Sequence, residues 1–173
     1  MKNLIALFAA IVLVSGFTST VKAQANATAN AAGSATIITP LTISKTTDMN
    51  FGTVAVSATV AGTVVLTTTG TRTTSGGVTL PAIAGTVTNA VFTVNGLGTS
   101  GFTIALPSTD FILTDAASHT MIVNAFTSTP TGPSALVGGT RTITVGATLN
   151  VSAGQAANVY TNATGFPVTV CYN

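Results

Sequence analysis

Charged residues are scarce in this 173-residue chain, in which only 5% of the residues are Asp, Glu, Lys or Arg. Globular domains average about 25%. Glutamate and tryptophan are absent, and cysteine occurs once, as Cys171. A single cysteine excludes an internal disulfide. The few, scattered basic residues exclude the clustered positive patch that binds nucleic acid or anionic membranes, so we expect neither partner.

Few side chains could perform catalysis or hold a metal. The chain has one histidine, His119, and three carboxylates, Asp48, Asp110 and Asp115. No nucleophile motif or metal-ligand spacing frames them, so we predict no catalytic, cofactor-binding or metal-binding residue and a protein that is not an enzyme. A hydrolase that uses Cys171 or His119, with Asp115, is a third class of function, because catalytic triads are spatial rather than sequential.

The N-terminus has the pattern of a secretory signal peptide. Lys2 precedes an apolar run over residues 4–14, and small residues up to Ala23 offer a cleavage site. The run is shorter than the roughly 20 residues that span a bilayer. Cleavage leaves residues 24–173, in which three cations balance three carboxylates. We predict a Sec-type signal over 1–23 and export across the inner membrane of a Gram-negative-like bacterium. The mature protein is then secreted or on the cell surface, without a membrane span.

Alternation with a period of two dominates the rest of the chain. Turns rich in Gly, Pro and Asn separate the segments, and Thr, Val and Ile favour a pleated surface over a helix. These features predict an all-β fold over residues 39–173, an antiparallel immunoglobulin-like β-sandwich of Greek-key topology. The candidate strands lie in PLTIS, MNFGTVAV, GTVVLTT, AVFTVNG, GFTIAL, TMIVNAF, TITVGATLNV and FPVTVCYN.

The alternation also assigns side chains to faces. In TMIVNAF it places Met121, Val123 and Ala125 together, opposite Phe126. In the other clear cases the residues that share one face are Ala90, Phe92 and Val94, then Ile143, Val145, Ala147, Leu149 and Val151, and finally Phe166, Val168, Val170 and Tyr172. Cys171 falls in the last segment, where we expect a packed or half-packed side chain. An intermolecular disulfide is the alternative for that residue.

The segment NGLGTSG has the glycine spacing of a dinucleotide-binding fingerprint, at Gly96, Gly98 and Gly101. That fingerprint requires a helix directly after the glycines, and here Gly101 leads into the alternating segment GFTIAL. We therefore interpret NGLGTSG as a hairpin loop between the strands of Phe92 and Phe102, with glycines at positive φ.

An internal similarity relates GTRTTSGGVTL (70–80) to GTRTITVGATL (139–149). It places Arg72 and Arg141 at the same position of each segment. Either both arginines begin equivalent strands and each reaches a carboxylate or a carbonyl, or a chain rich in Thr and Gly repeats itself by composition.

The segment QANATANAAGSATII (24–38) is the one that most suggests a function. Alanines alternate with polar residues, and two isoleucines follow. An extended segment with a small apolar face can add itself to an exposed sheet edge of a neighbouring molecule. We predict a donor strand here, with a flexible leader as the alternative. The predicted assembly residues are Ala25, Ala27, Ala29, Ala31, Ile37 and, at the C-terminus, Tyr172.

Several blocks together resemble a family of small secreted bacterial β-proteins known as a domain of unknown function, which looks related to spore-coat-U and archaic chaperone–usher pilin domains. The blocks are PLTISKTTDMNFGTVAV, GTRTTSGGVTL, FTVNG, VGATLNVSAGQ and FPVTVCYN, and NFGTV and GATLNV are the most specific parts. The resemblance covers most of residues 35–173. It implies an immunoglobulin-like sandwich at the cell surface and a role as a fibre subunit. Tyr172 matches a penultimate aromatic of pilins, whereas the missing disulfide and Tyr160, in place of a glycine, depart from them.

Taken together, the sequence predicts a non-enzymatic structural subunit of a bacterial surface fibre or coat that assembles by donor-strand-like pairing of sheet edges. Its expected partners are further copies, other surface subunits and a periplasmic chaperone. The alternative is a monomeric secreted adhesin or binding module that acts through loops such as 95–101 and 127–139.

Overall fold

The structure is a computed structural model that describes residues 26–173. The predicted signal peptide over 1–23 and Ala25 lie outside these residues. The chain divides into two units between Thr36 and Ile37. In the first unit, residues 26–36 form no strand and every side chain is exposed. Among residues 26–173, no helix is long and apolar enough to cross a membrane.

The second unit, residues 37–173, holds the strands, and every pairing between them is antiparallel. Together they confirm the predicted all-β antiparallel sandwich. The strands are β1 (Thr42–Thr47), β2 (Ala55–Val56), β3 (Gly62–Leu66), β4 (Arg72–Gly76), β5 (Val78–Thr79), β6 (Ala90–Asn95), β7 (Gly101–Ala105), β8 (Phe111–Thr114), β9 (Thr120–Thr129), β10 (Ser134–Ala135), β11 (Thr140–Val151) and β12 (Thr169–Tyr172).

Strand β11 organises the seven-stranded sheet because it has three partner strands. Residues 140–145 pair with β6, and residues 147–151 pair with β3 along the same edge. The opposite edge of β11 pairs with β9 over residues 144–150. Strands β1, β4 and β8 then extend the sheet from β6, β3 and β9.

The change of partner along β11 takes place at Gly146. A Cβ atom on Gly146 would lie 2.3 Å from the Leu66 carbonyl oxygen and 2.7 Å from the Thr67 carbonyl carbon. No side chain fits at that distance from backbone atoms. Glycine is therefore required where the first turn of chain after β3 crosses β11.

Two core clusters follow from this division of β11. Ile143 and Val145 join a cluster with Phe92 of β6 and Phe102 of β7, which packs the seven-stranded sheet against the three-stranded sheet β10-β7-β12. The second half of β11 joins a cluster that also contains Phe51 and residues of β3, β5 and β9. The members of that second cluster are Phe51, Val64, Leu66, Val78, Met121, Val123, Ala147, Leu149 and Val151.

The predicted faces agree with these clusters except in β9. Met121 and Val123 are buried as expected, but Ala125 is exposed and Phe126 packs against both clusters. Between the pairs Gly146–Thr127 and Thr148–Asn124, one residue of β11 (Ala147) opposes two residues of β9 (Ala125 and Phe126), and Ala125 has a φ of 48°. This β-bulge shifts the alternation by one residue, so the predicted face of Ala125 is wrong.

Two predicted elements have a different structure. NGLGTSG does not close a hairpin, because β6 and β7 belong to different sheets and the loop connects them. Of its three glycines only Gly98 has a positive φ, at 48°. MNFGTVAV is mostly irregular, with a strand only over Ala55–Val56. The Asn50 side chain accepts a hydrogen bond from the Gly52 amide at 2.8 Å. This bond closes a turn over residues 50–52, so the segment does not continue as a strand.

Replacing Gly146 tests its role at the crossing. We expect Gly146→Ala to lower the free energy of unfolding by about 1–3 kcal/mol, the usual cost of overpacking. The measurement is the urea midpoint, with the m-value checked for constancy. Gly33→Ala is the control, since no atom lies within 4 Å of a Cβ there. Equal midpoints for the two variants would contradict the constraint.

Candidate functional site

The predicted donor segment contributes nothing to the core of the described chain. Ala27, Ala29 and Ala31 are exposed and belong to no strand. Ile37 is 98% exposed and Ile38 is 49% exposed. Large β-branched side chains in an extended segment are typical of a strand. Ile37 and Ile38 therefore have side chains typical of a strand, and residues 26–40 have no strand partner among the described residues.

The seven-stranded sheet ends at β1, and the three-stranded sheet ends at β12. Strand β1 pairs only with β6, and β12 pairs only with β7, among the described residues. These two edge strands lie close to each other. Apolar side chains along them pack on the first core cluster but stay partly exposed, and we name this set the β1/β12 seam: Leu41, Ile43, Val168, Val170 and Tyr172.

Tyr172 ties the two ends of the folded unit together. Its hydroxyl accepts a hydrogen bond from the Leu97 amide at 2.7 Å and donates one to the Thr39 carbonyl at 3.0 Å. A Cβ atom on Gly96 would lie 2.3 Å from that hydroxyl. Gly96 is thus explained by the close approach of Tyr172. Tyr172, which the sequence predicts as an assembly residue, thus has its hydroxyl bonded within the chain.

Removing this hydroxyl should loosen the end of the fold. We expect Tyr172→Phe to cost about 1–2 kcal/mol in unfolding free energy, because two hydrogen bonds are lost. Amide exchange at Leu97 should speed up as well. Cys171→Ser, at an exposed neighbouring position, should leave both quantities unchanged. Unchanged exchange at Leu97 in the phenylalanine variant would contradict the tie.

The two loops that the sequence offers as binding loops meet in the structure. Backbone hydrogen bonds join Gly96 to Gly139 (2.9 Å), Gly139 to Gly98 (2.7 Å) and Leu136 to Ser100 (3.1 Å). Leu97 and Val137 are large exposed apolar residues in these joined loops. The structure thus brings 95–101 and part of 127–139 into one surface.

Asp115 and His119 also come together, in the turn between β8 and β9. The Asp115 side chain is fully buried, and its Oδ2 lies 2.8 Å from His119 Nδ1. Oδ1 accepts hydrogen bonds from the amides of Ala117 (2.9 Å) and His119 (2.8 Å). The Asn158 side chain donates to Oδ2 at 2.9 Å. These bonds fasten the turn to the segment that precedes β12.

The titration of Asp115 reflects two opposing effects. Burial on its own would raise the pKa of Asp115, but hydrogen bonds from the His119 side chain and backbone and from Asn158 outweigh it. The pKa of Asp115 therefore lies below its ordinary value of 3.8. A carboxylate that is ionised and fully bonded holds its histidine in place, as in an acid–histidine pair.

This pair lacks the rest of a catalytic triad. Among residues 26–173, no Ser, Thr or Cys hydroxyl or thiol is hydrogen-bonded to His119, whose ring is half exposed. Cys171 lies in β12, opposite Thr103, and is exposed. The expectation that Cys171 is packed or half-packed is wrong, because its neighbours Val170 and Tyr172 take the core-facing positions. The same described residues hold no group of three or more candidate metal ligands.

The depressed pKa of Asp115 predicts how stability depends on pH. A carboxylate with a folded pKa below its unfolded one stabilises the fold above the unfolded pKa, and that contribution is lost as pH falls through the folded pKa. We expect Asp115→Asn to lower Tm at pH 7. When the pH falls below 4, the Tm of this variant should decrease less than the Tm of the unmodified protein. Thermal unfolding from pH 2 to 7 measures this, with the exposed Asp48→Asn as control. Parallel pH profiles for the parent and Asp115→Asn would contradict the assignment.

Of the two related arginines, only Arg72 has a side-chain hydrogen-bond partner within residues 26–173. Arg72 begins β4, and its Nη1 donates to the carbonyl oxygens of Phe51 and Thr53, the latter at 2.9 Å. This agrees with the predicted carbonyl contact and holds the NFGTV turn. Arg141 is the second residue of β11 and is partly buried. The structural roles of NFGTV and GATLNV are thus a turn and a core strand.

A shallow cleft is the feature that the sequence did not predict. It measures about 280 Å³ and lies between the segment after β7 and the segment before β12. Phe111 and Phe166 line it, with rings 5.7 Å apart and close to perpendicular. Asp110 lines it too, and its Oδ1 accepts a hydrogen bond from Asn124 at 3.1 Å. Pro107 and Pro167, both in the lining, mark in the sequence where β7 and β12 cease to pair.

Comparison with known families relates the folded unit to one of them. The family model of a domain of unknown function (DUF4402) matches residues 41–172. The chain belongs to this family. No curated protein and no solved structure matches the chain. The match to DUF4402 begins one residue before β1 and ends with β12. Residues 26–40, including Ile37 and Ile38, precede the matched region.

Proposed function

We propose that this DUF4402 protein is a non-enzymatic structural subunit of a bacterial surface fibre or coat. Residues 24–38 of one copy would pair with a free sheet edge of the next copy. The observation that carries the proposal is that residues 26–40 are exposed and have no strand partner in the part of the chain that the structure describes, with Ile37 98% exposed. An immunoglobulin-like sandwich related to spore-coat-U and archaic pilin domains is part of the same proposal.

Approximate free energies of burial and of chain ordering indicate which interactions an acceptor site must supply. Burying the side chains of Ile37 and Ile38 contributes about 3–6 kcal/mol. Ordering a segment of ten residues costs about 10–20 kcal/mol in backbone entropy. Apolar burial alone is therefore insufficient, and the acceptor must also supply main-chain hydrogen bonds of about 0.5–1.5 kcal/mol each. The β1/β12 seam offers both a free strand edge and partly exposed apolar side chains.

Low charge supports association between copies. Residues 24–173 carry three cations and three carboxylates, so their formal net charge is zero. Net charge keeps most proteins monomeric by mutual repulsion, and that repulsion is absent here. Export by the predicted signal peptide would release this segment only outside the inner membrane.

The first experiment measures mass by light scattering after size exclusion. We expect residues 24–173 to run as large species that survive dilution, and residues 39–173 to run as a monomer. In the longer protein, Ile37→Asp with Ile38→Asp should also give monomers. Ile83→Asp is the matched control, because Ile83 is 83% exposed and lies outside the segment. Stable monomers for the unmodified 24–173 protein would refute the assembly role.

The joined loops favour a second candidate, a monomeric secreted adhesin or binding module. Leu97 and Val137 present apolar side chains on a surface braced by three backbone hydrogen bonds. Leu97→Asp and Val137→Asp should then abolish adhesion to a target surface and leave the particle mass unchanged. If these variants lost adhesion and also formed particles of lower mass, the loops would instead be assigned to assembly.

A further inference from the structure

The outer face of strands β1, β6 and β11 is a grid of hydroxyl-bearing side chains. The strand registers align Ser44 with Thr93, and Thr93 with Thr142. These residues alternate with buried Phe92 and Ile143, so they point away from the core. We name the polar members of this face the hydroxyl face: Thr42, Ser44, Thr46, Thr93, Asn95, Thr140, Thr142 and Thr144. Asn95 contributes an amide in place of a hydroxyl, and Val91, which pairs with Thr144, is an apolar residue on the same face.

The hydroxyl face has no charged member. The two cations of these strands, Lys45 and Arg141, pair in register with core-facing Phe92 and Val94. Lys45 is also bound to Asp48 at 2.6 Å. Exposed sheet faces and edges commonly carry Lys and Glu, which keep them soluble and unpaired. A neutral face of this extent therefore fits a neutral partner.

The side chains of this face can both donate and accept hydrogen bonds. A hydroxyl offers one donor and two acceptor positions, as sugars and water do. Thr46 and Thr93 hydroxyls lie 3.3 Å apart, and Ser44 donates to the Thr93 carbonyl at 3.4 Å. These long contacts within the sheet leave hydrogen-bonding capacity for a ligand. Thr methyl groups add small apolar contacts suited to C–H surfaces.

The spacing and twist of the strands favour an extended polymer over a rigid crystal lattice as the ligand. Neighbouring strands lie about 4.8 Å apart, which is close to the length of one sugar residue in an extended glycan. A chain that crosses the strands meets one polar side chain for each sugar. Adjacent strands also rotate by about 20–25°, so three strands depart from a plane by roughly 40–50°. A flexible polymer can follow that twist, whereas a crystal plane such as ice cannot.

We propose that the hydroxyl face binds an extended, neutral polysaccharide that runs across β1, β6 and β11. The inference is independent of the assembly proposal, because it concerns a sheet face and not an edge. No aromatic ring lies on this face to stack on a sugar, so the affinity of one copy is weak, with Kd on the order of 1 mM. Linked copies in a fibre would raise the avidity by about 10²–10⁴.

The test measures depletion of residues 24–173 from solution by amorphous cellulose, a neutral β-1,4-linked glucan. We expect saturable binding that falls at least tenfold in the Thr93→Val, Thr142→Val double variant. Thr73→Val is the matched control, since Thr73 is exposed in β4, outside the face. Ser44→Ala is a second variant, at the edge strand, where folding is least sensitive. Circular dichroism checks that each variant is folded.

Two further adsorbents distinguish the outcomes. Cross-linked pectate has sugar residues that carry charge, and we expect at least tenfold weaker binding to it. Ice crystals test a rigid lattice, and we expect no adsorption. The proposal is overturned by no binding to cellulose, by equal binding to pectate, or by retention in the double variant. Ice adsorption that the double variant abolishes would assign the face to ice instead. If the double variant changed the particle mass but bound cellulose as the unmodified protein does, the hydroxyl face would be assigned to assembly and the polysaccharide proposal would be overturned.

Discussion

The crossing of Gly146 over the carbonyl of Leu66 is the contact on which the sandwich depends. It lets one strand, β11, change partner from β6 to β3 without leaving the sheet. Because of that change, Ile143 and Val145 serve one core cluster and Ala147, Leu149 and Val151 serve the other. The bulge at Ala125 occurs on the opposite edge at the same level and moves Phe126 inward, where it contacts both clusters.

Scarce charge shapes the surface as strongly as the crossing shapes the core. Thr, Ser and Asn provide most of the polar side chains on the sheet faces, in register from strand to strand. The one fully buried carboxylate, Asp115, is bonded by two amides and two side chains, which is the condition for keeping a charge inside a protein. Its bonds fix the turn between β8 and β9 and orient the ring of His119.

Tyr172 separates the folded unit from the segment before it. Its hydroxyl binds the carbonyl of Thr39, so the side chains that join the seam begin with Leu41. Ile37 and Ile38 lie directly before this tie and have no core to join in the described chain. The proposals for assembly and for polysaccharide binding use different parts of the molecule, an edge and a face. A fibre subunit can have both, because edge pairing leaves the outer face of the sheet open.

The sequence by itself determined the all-β class and which residues of β6, β11 and β12 face the core, because alternation with a period of two is a local property of a pleated strand. It also marked residues 24–38 as a separate segment by their alternating alanines, and the donor-strand role of that segment stays a prediction. Only the tertiary structure decided that β6 and β7 lie in different sheets, that Ala125 faces outward and that Cys171 is exposed. Those facts depend on which strands pair, on a bulge, and on the register, and each arises from contacts between residues distant in the sequence. The hydroxyl face likewise exists only because three strands from three regions align their threonines.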